Sequence, residues 1–353
     1  MLPPAFDRER FIMKQIMRLL STMLILAFVI TGVCVSASAL VIFEGDFGFE
    51  VNTSKHEAKL VSYSGTGGSV MLPAYYLDYP VTVIGRNAFS GNEAITEVAL
   101  ADTNTTIEEY AFMNCSSLET VSIPESVVSV GDRAFANCTS LHTVTMLSDI
   151  VSMPMNMFSG CSALADLTLS ETIVDFGYGC FNGCSSLTDL GFVSGGVMLD
   201  SYAFSGTGAE SVVLSDSLLA IPNYAFTDCS ALTSVKIPES VVLIQPYAFD
   251  WENVTIRCYP DSFAHSFAEG NGFSYELIDT YLLGDADSDG VVSVLDVTTI
   301  QRLLATLSLE NPLDEQAADA DGSNRIEITD ATLIQRCTAS IETPYAINTR
   351  MDR

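Results

Sequence analysis

The chain has 353 residues, with 44 Asp or Glu against 15 Lys or Arg and a formal net charge of −29. Nucleic-acid phosphates are held by Lys and Arg, so this balance argues against a nucleic-acid partner. Hydrophobic residues make up 48% of the chain, enough for a sizeable core in one large domain with a small companion or in an elongated array.

The N-terminus reads as an export signal. Arg8, Arg10, Lys14 and Arg18 form a basic region, an apolar run extends from Leu19 to Val35, and Ala37-Ser38-Ala39 is a small-x-small exit. Cleavage is expected after Ala39, because no basic stop-transfer cluster follows. An uncut membrane anchor is the alternative. Lipidation at Cys34 is disfavoured by the bulky Val33 before it. Met13-Lys14 is a more usual start than Met1. Export places the mature chain where disulfides are permitted, with no membrane span after cleavage.

Beyond the signal the chain repeats. Phe89, Phe112, Phe135, Phe158, Phe181, Phe204, Phe226 and Phe249 recur at spacings of 23, 23, 23, 23, 23, 22 and 23 residues. Such periodicity marks stacked units that cannot bury their apolar faces singly. In Leu118–Phe135, Leu118, Val121 and Ile123 face inward, Val121 and Ile123 alternate as in a strand, and Pro124 ends it. Val127 and Val130 start a second short extended piece, Gly131 turns the chain, and Ala134-Phe135 plug the interior. The expected product is a solenoid rising ~4.8 Å per rung.

The unit LxxVxIPxxVxxIGxxAFxxC resembles the BspA-type leucine-rich repeat of bacterial surface and secreted proteins. The fold expected is a β-rich leucine-rich-repeat solenoid of short strands, with about eight repeats of 22–23 residues over residues 81–250. Residues 40–80 resemble the strand-rich lead-in that caps the first rung, and 251–280 a closing cap with a helix near Ser262–Ala268. End rungs need such caps because they otherwise expose apolar faces.

Cys115, Cys138, Cys161, Cys184 and Cys229 each follow a repeat Phe by three residues. Stacked equivalent positions lie ~4.8 Å apart, too far for the Cβ approach a disulfide wants. Asn92 and Thr207 fill the same slot, so buried free thiols are expected. Cys180 and Cys258 have no obvious partner. The outward residues of the long strands are short and polar, from Thr96-Glu97-Ala99 through Thr188-Asp189-Gly191 to Thr233-Ser234-Lys236, with no aromatic among them. Such a face is either a solvated sheet or a ligand-binding surface without stacking platforms.

Near the C-terminus, Asp285, Asp287 and Asp289 alternate, Gly290 follows, and Val291, Ser293 and Asp296 come next. These fill positions 1, 3, 5, 6, 7, 9 and 12 of a calcium loop, with Val291 lending its carbonyl and Gly290 the sharp turn. The pattern returns as Asp319, Asp321, Ser323, Arg325 (a carbonyl), Glu327 and Asp330, with Asn324 where glycine is expected. Oxygen-only donors in this number select Ca2+ over Mg2+, and two ions are expected. Each loop runs into an apolar-faced helix, the first with Val297, Ile300, Leu303 and Leu304 on its apolar side.

Two loop–helix units without entering helices, each closing on Asp, resemble a type I dockerin over residues 281–345, with 346–353 a tail. The resemblance implies a small all-α calcium-binding module that plugs a secreted protein into a cohesin of a scaffoldin, as in cellulosomes. It implies recognition through Val294, Leu295, Gln301 and Arg302 in one half and Ile328, Thr329, Gln335 and Arg336 in the other. The shared Gln-Arg pair suggests two pseudo-symmetric binding modes, and the apolar Val294, Leu295 and Ile328 suggest a hydrophobic cohesin specificity.

The function expected is a secreted, non-catalytic interaction protein whose solenoid binds an unidentified protein or cell-surface ligand. The alternatives are a surface adhesin or a carbohydrate-active enzyme component. Against an enzyme, the chain has three scattered His, no GxSxG or HExxH motif, and no domain left over to form a cleft between two carboxylates.

Overall fold

The computed structural model describes residues 41–250, 254–278, 280–288, 291–306, 309, 313–323, 325–339, 347 and 350–352. The expected signal segment, Asp289, Gly290 and Asn324 lie outside the described residues. The chain divides into two compact units, one of Met1–Ile256 with Ser266–Ser274 and the other of Arg257–His265 with Tyr275–Arg353. Among the described residues no helix is long and apolar enough to cross a membrane.

The first unit is a β-solenoid. Its lead-in is antiparallel, Val41–Glu44 pairing with Phe47–Asn52 and that strand with Glu57–Tyr63. From there pairing becomes parallel, Glu57–Tyr63 against Tyr79–Ile84. Two ladders then run along the solenoid. The longer-stranded one orders Gly68–Met71, Ile95–Ala99, Thr120–Ile123, Thr143–Met146 and Asp166–Leu169, with Thr120, Thr143 and Asp166 in register. The shorter-stranded one continues from Tyr79–Ile84 through Thr106–Ile107 to Ser129–Val130. It resumes as Ser152–Met153, Asp175–Phe176 and Met198–Leu199, and again as Ala220–Ile221 with Leu243–Ile244.

The repeat phenylalanines form the spine. From Phe89 to Phe249 successive rings stack at centroid distances of 4.8–5.8 Å with planes within 18° of parallel. All are essentially fully buried. Tyr63 of the lead-in covers the first ring at 5.3 Å, so the stack does not end on water.

The cysteines among the described residues are free thiols. Each ladder thiol donates to the carbonyl of the preceding rung's Phe: Cys115 to Phe89 (3.2 Å), Cys138 to Phe112 (3.2 Å), Cys161 to Phe135 (3.1 Å) and Cys184 to Phe158 (3.2 Å). Thr207, in the same slot, donates instead to the carbonyl of its own rung's Phe204 at 3.0 Å. A buried thiol or hydroxyl in this slot thus satisfies itself on a Phe carbonyl. Burial pushes the Cys180 and Cys184 thiols far above their ordinary value, and that of Cys258 up to about 11.

One expected strand is absent. Thr188–Gly191 does not extend the long ladder; Gly191–Gly195 forms a 3-10 helix instead. Asp189 Oδ1 accepts from Gly191 N–H at 2.8 Å, and Ser194 Oγ donates to Gly191 O at 2.7 Å. Local side-chain bonds of this kind compete with a ladder, and glycine gives a strand nothing to pack. Phe192 fills the space, tilted against Phe176 and Phe181 at 5.7 Å. The ladder restarts with Ser211–Val213 against Ser234–Lys236, and Thr255 N–H then bonds Thr233 O at 2.8 Å. Helix α1, Phe263–Asn271, lies where the sequence places one.

The second unit carries α2 (Val294–Leu304), α3 (Glu315–Ala318) and α4 (Ile328–Thr338). Val297 and Ile300 of α2 share a core with Ala331, Leu333 and Ile334 of α4. Leu304, expected on the apolar side of α2, is exposed: it is the last residue of the helix, one turn beyond Ile300, and takes no part in that core. The module is not purely helical: Thr280–Leu282 pairs antiparallel with Arg350–Asp352, so part of the expected tail is a strand.

Phe135→Ala is expected to cost about 3–5 kcal/mol in chemical denaturation, because it opens a cavity between two stacked rings. In native protein a thiol reagent should label the half-buried Cys337 and spare the seven buried cysteines until denaturant is added.

Candidate metal centre

Each loop of the second unit draws three carboxylates together. Ligand atoms of Asp285, Asp287 and Asp296 lie within 4.8 Å of one another, and so do those of Asp319, Asp321 and Asp330. All three of the first set are buried; in the second, Asp330 is buried and its companions are half-buried.

The two loops share their hydrogen bonds. Asp296 accepts from Asp287 N–H on Oδ1 at 3.2 Å and from Ser293 N–H on Oδ2 at 2.6 Å. Asp330 accepts from Asp321 N–H on Oδ1 at 3.2 Å and from Glu327 N–H on Oδ2 at 2.7 Å. The closing Asp of each loop is thus at once a helix-capping residue and a candidate ligand. Further on, Thr298 Oγ1 donates to Val294 O at 2.9 Å and Thr332 Oγ1 to Ile328 O at 2.8 Å, extending the correspondence into the helices.

In the second loop the expected donors converge further. Ser323 N–H donates to Asp319 Oδ1 and Asp321 Oδ1, both at 3.0 Å, and its hydroxyl donates to the Arg325 carbonyl at 3.2 Å. The Glu327 side chain is exposed. In the first loop Val291 is exposed, and the Ser293 hydroxyl caps α2 by accepting from Leu295 N–H at 3.0 Å. Gly284, at φ 100°, leads into this loop; a Cβ there would stand 2.7 Å from Ile347 Cγ2.

The donor set fits a hard divalent cation. Every available ligand is oxygen, and three carboxylates held this close repel one another unless a cation neutralises them. The strain is visible in the acids themselves. Burial, together with the charges of Asp287 and Asp285, pushes Asp296 above the ordinary carboxylate range despite its two N–H donors. Burial, with Asp321 and Asp319, does the same to Asp330.

The side chains expected to meet a partner lie at the helix starts and along their outer faces. Val294, Leu295 and Ile328 are 63%, 56% and 59% exposed, an unusual display for aliphatic residues. Thr329, Gln301, Gln335 and Arg336 are exposed and Arg302 is half-buried.

Comparison with known proteins agrees with both halves. The family described as the BspA type leucine rich repeat region matches residues 82–207 and 197–267 in six copies, just over half of the chain. The dockerin type I domain matches residues 283–337. The chain belongs to the BspA-type leucine-rich repeat family and carries a type I dockerin domain. No curated protein matches it. Similar solved structures include a leucine-rich repeat protein from Bacteroides ovatus, 22% identical over 62% of this chain and 70% of that one, with a TM-score of 0.40. A leucine-rich repeat protein of T. pallidum is 20% identical over 65% and 95%, with a TM-score of 0.35. A leucine rich cell surface protein from Faecalibacterium prausnitzii is 20% identical over 68% and 95%, with a TM-score of 0.33.

The raised acids fix a sign for pH. A carboxyl whose folded pKa lies above its unfolded value adds stability below the unfolded pKa and loses it as pH rises through the folded one. The cation-free second unit should therefore gain stability on acidification from pH 7 towards 4, whereas with Ca2+ bound it should lose stability over that range, since the ion needs ionised ligands. Calorimetric scans with calcium and with chelator check this; parallel trends in the two would contradict it.

Proposed function

We propose that this chain is a secreted, non-catalytic interaction protein that docks through its second unit and presents its solenoid to another protein. Two Ca2+ ions would order the loops, one held by Asp285, Asp287, Asp289, the Val291 carbonyl, Ser293 and Asp296. The other would be held by Asp319, Asp321, Ser323, the Arg325 carbonyl, Glu327 and Asp330. The docking partner is a scaffoldin cohesin, met by Val294, Leu295, Gln301 and Arg302 or by Ile328, Thr329, Gln335 and Arg336.

The observation that carries this reading is the duplication: two carboxylate clusters with the same hydrogen bonds, each starting a helix that exposes aliphatic side chains. A single acidic loop is a common surface turn; a matched pair with equivalent exposed faces is what a partner approaching in either of two orientations requires. The leader at 1–39, the lead-in at 40–80, the solenoid at 81–250, the cap at 251–280, the dockerin at 281–345 and the tail at 346–353 are the divisions we assign. A surface adhesin is the second reading; it differs in the solenoid's ligand, which would be a host or neighbouring-cell protein.

Titration calorimetry of the full chain against a panel of type I-like cohesins, with calcium and with EDTA, tests the proposal. Binding lost on chelation, and lost when Leu295→Asp and Ile328→Asp are combined, is expected. Calcium binding with no cohesin partner would sink the docking assignment and leave a calcium-stabilised tail on an adhesin.

A further inference from the structure

The solenoid carries a surface that its polar long-strand face does not account for. The residue two positions before each repeat Phe has φ between 52° and 61° in all eight rungs. Asn87, Asn156 and Gly179 suit that left-handed conformation. Tyr202, Tyr224 and Tyr247 do not; a bulky side chain there is a backbone outlier. Their rings stack along successive rungs at 4.7 and 5.4 Å, and Tyr178 lies 5.5 Å from Tyr202. Tyr178 and Tyr247 are exposed. Backbone comfort does not explain tyrosine in a slot that asparagine fills elsewhere.

Five residues before the tyrosine slot, the repeats carry an aliphatic line. Val128, Val151, Val197, Leu219 and Val242 stand seven residues before Phe135, Phe158, Phe204, Phe226 and Phe249 and are 42–68% exposed, and Val174, at the same place before Phe181, is half-buried. The ladder holds them in line: Val174 N–H bonds Val151 O, Val197 N–H bonds Val174 O, and Val242 N–H bonds Leu219 O, at 2.7–3.0 Å. In earlier rungs Thr82 and Thr105 occupy this place, paired in the same way. Threonine has the same branched shape and strand preference, so the fold does not require valine or leucine there. Met198 and Leu243, both exposed, widen the line. Contiguous apolar surface rimmed by polar groups marks an interaction site, and Tyr and Met are enriched in such sites.

Charge chooses the partner. Between residues 134 and 256 the sequence has twelve Asp or Glu, one Lys (Lys236) and no Arg. A second copy would bring like charge to like across the interface, which is costly. A basic surface would be drawn in. The chain shows the contact on itself: at Tyr110, in the same repeat slot, the guanidinium groups of Arg86 and Arg133 lie 5.2 and 5.9 Å from the ring centroid, and Arg133 Nη1 donates to Tyr110 Oη at 3.3 Å. In the later rungs the neighbouring slots hold tyrosine rather than arginine, leaving the hydroxyl edge of the stack for a partner's arginines.

We propose that the tyrosine ladder and aliphatic line of the last four rungs form the protein-docking face of the solenoid, and that its partner is a polypeptide surface with arginines set among aliphatic side chains. This rests on the reading of the solenoid as a protein-binding module and is independent of cohesin docking.

The test uses the full calcium-loaded chain and two fluorescent peptides, one alternating Arg with Leu and one alternating Glu with Leu. Two variants remove the face with residue types already present in its slots: Tyr202→Asn/Tyr224→Asn/Tyr247→Asn, and Leu219→Thr/Val242→Thr. Neither changes the net charge. The Arg–Leu peptide should bind and the Glu–Leu peptide should not, and each variant should weaken binding about tenfold or more with circular dichroism and cohesin binding unchanged. Equal affinity for wild type and variants would overturn the proposal, because attraction to the acidic chain alone would then explain binding. So would tyrosine-dependent binding of a cello-oligosaccharide without peptide binding, or dimers in sedimentation that both variants abolish. Loss of cohesin binding with intact peptide binding would sink the docking assignment and leave this face standing.

Discussion

Each rung must lay its backbone on the one before it at strand spacing, ~4.8 Å, and every other feature of the solenoid follows from that constraint. Equivalent side chains in successive rungs then stand nearly one strand spacing apart with parallel directions. Aromatic rings tolerate this well, since parallel planes at 4.8–5.8 Å pack without gaps. A β-branched or charged residue at the same place would leave a void or an unpaired charge in every rung. The Phe stack is therefore both the core and the ruler of the repeat. The thiol slot obeys the same rule at smaller scale, as each Sγ meets the preceding rung's carbonyl at almost the same distance.

The second unit is ordered by different physics. It is small, its core combines four alanines with five branched residues, and its loops turn acids inward. Apolar burial cannot hold such loops closed against the repulsion of their carboxylates. The backbone N–H groups that reach Asp296 and Asp330 offset part of that repulsion, yet burial still pushes both acids up. A divalent cation would complete the balance, and the closing carboxylate that would hold it also caps the helix carrying the exposed aliphatic residues. On the proposed function, metal loading and presentation of those residues would be one event.

Much of this was legible in the sequence because stacking demands repetition. A residue needed in every rung recurs at 22 or 23 residues, so the Phe period, the cysteine slot and the strand pairs could be read directly. The loops were legible because ligand geometry dictates spacing, and duplication doubled the signal. What escaped had no such period. The 3-10 helix at Gly191–Gly195 keeps Leu187 and Leu190 buried like their counterparts, and only the local bonds of Asp189 and Ser194 divert the chain. The strand pair of Thr280–Leu282 with Arg350–Asp352 joins segments far apart in sequence, which periodicity does not report. The tyrosine ladder sits in the YAF of some repeats only, so it lacks the period that the buried Phe beside it has. Positive φ, ring contacts and the exposure of Tyr178 and Tyr247 set it apart.

Hydrogen exchange of the full chain, followed by segment with calcium and with chelator, tests the division of labour between these two sources of order most directly. The account predicts that chelation releases protection in α2, α4 and the loops before them, while the rungs from Phe89 to Phe249 keep theirs. Protection in α2 and α4 that is indifferent to calcium, or a solenoid that loosens when calcium is removed, would contradict it.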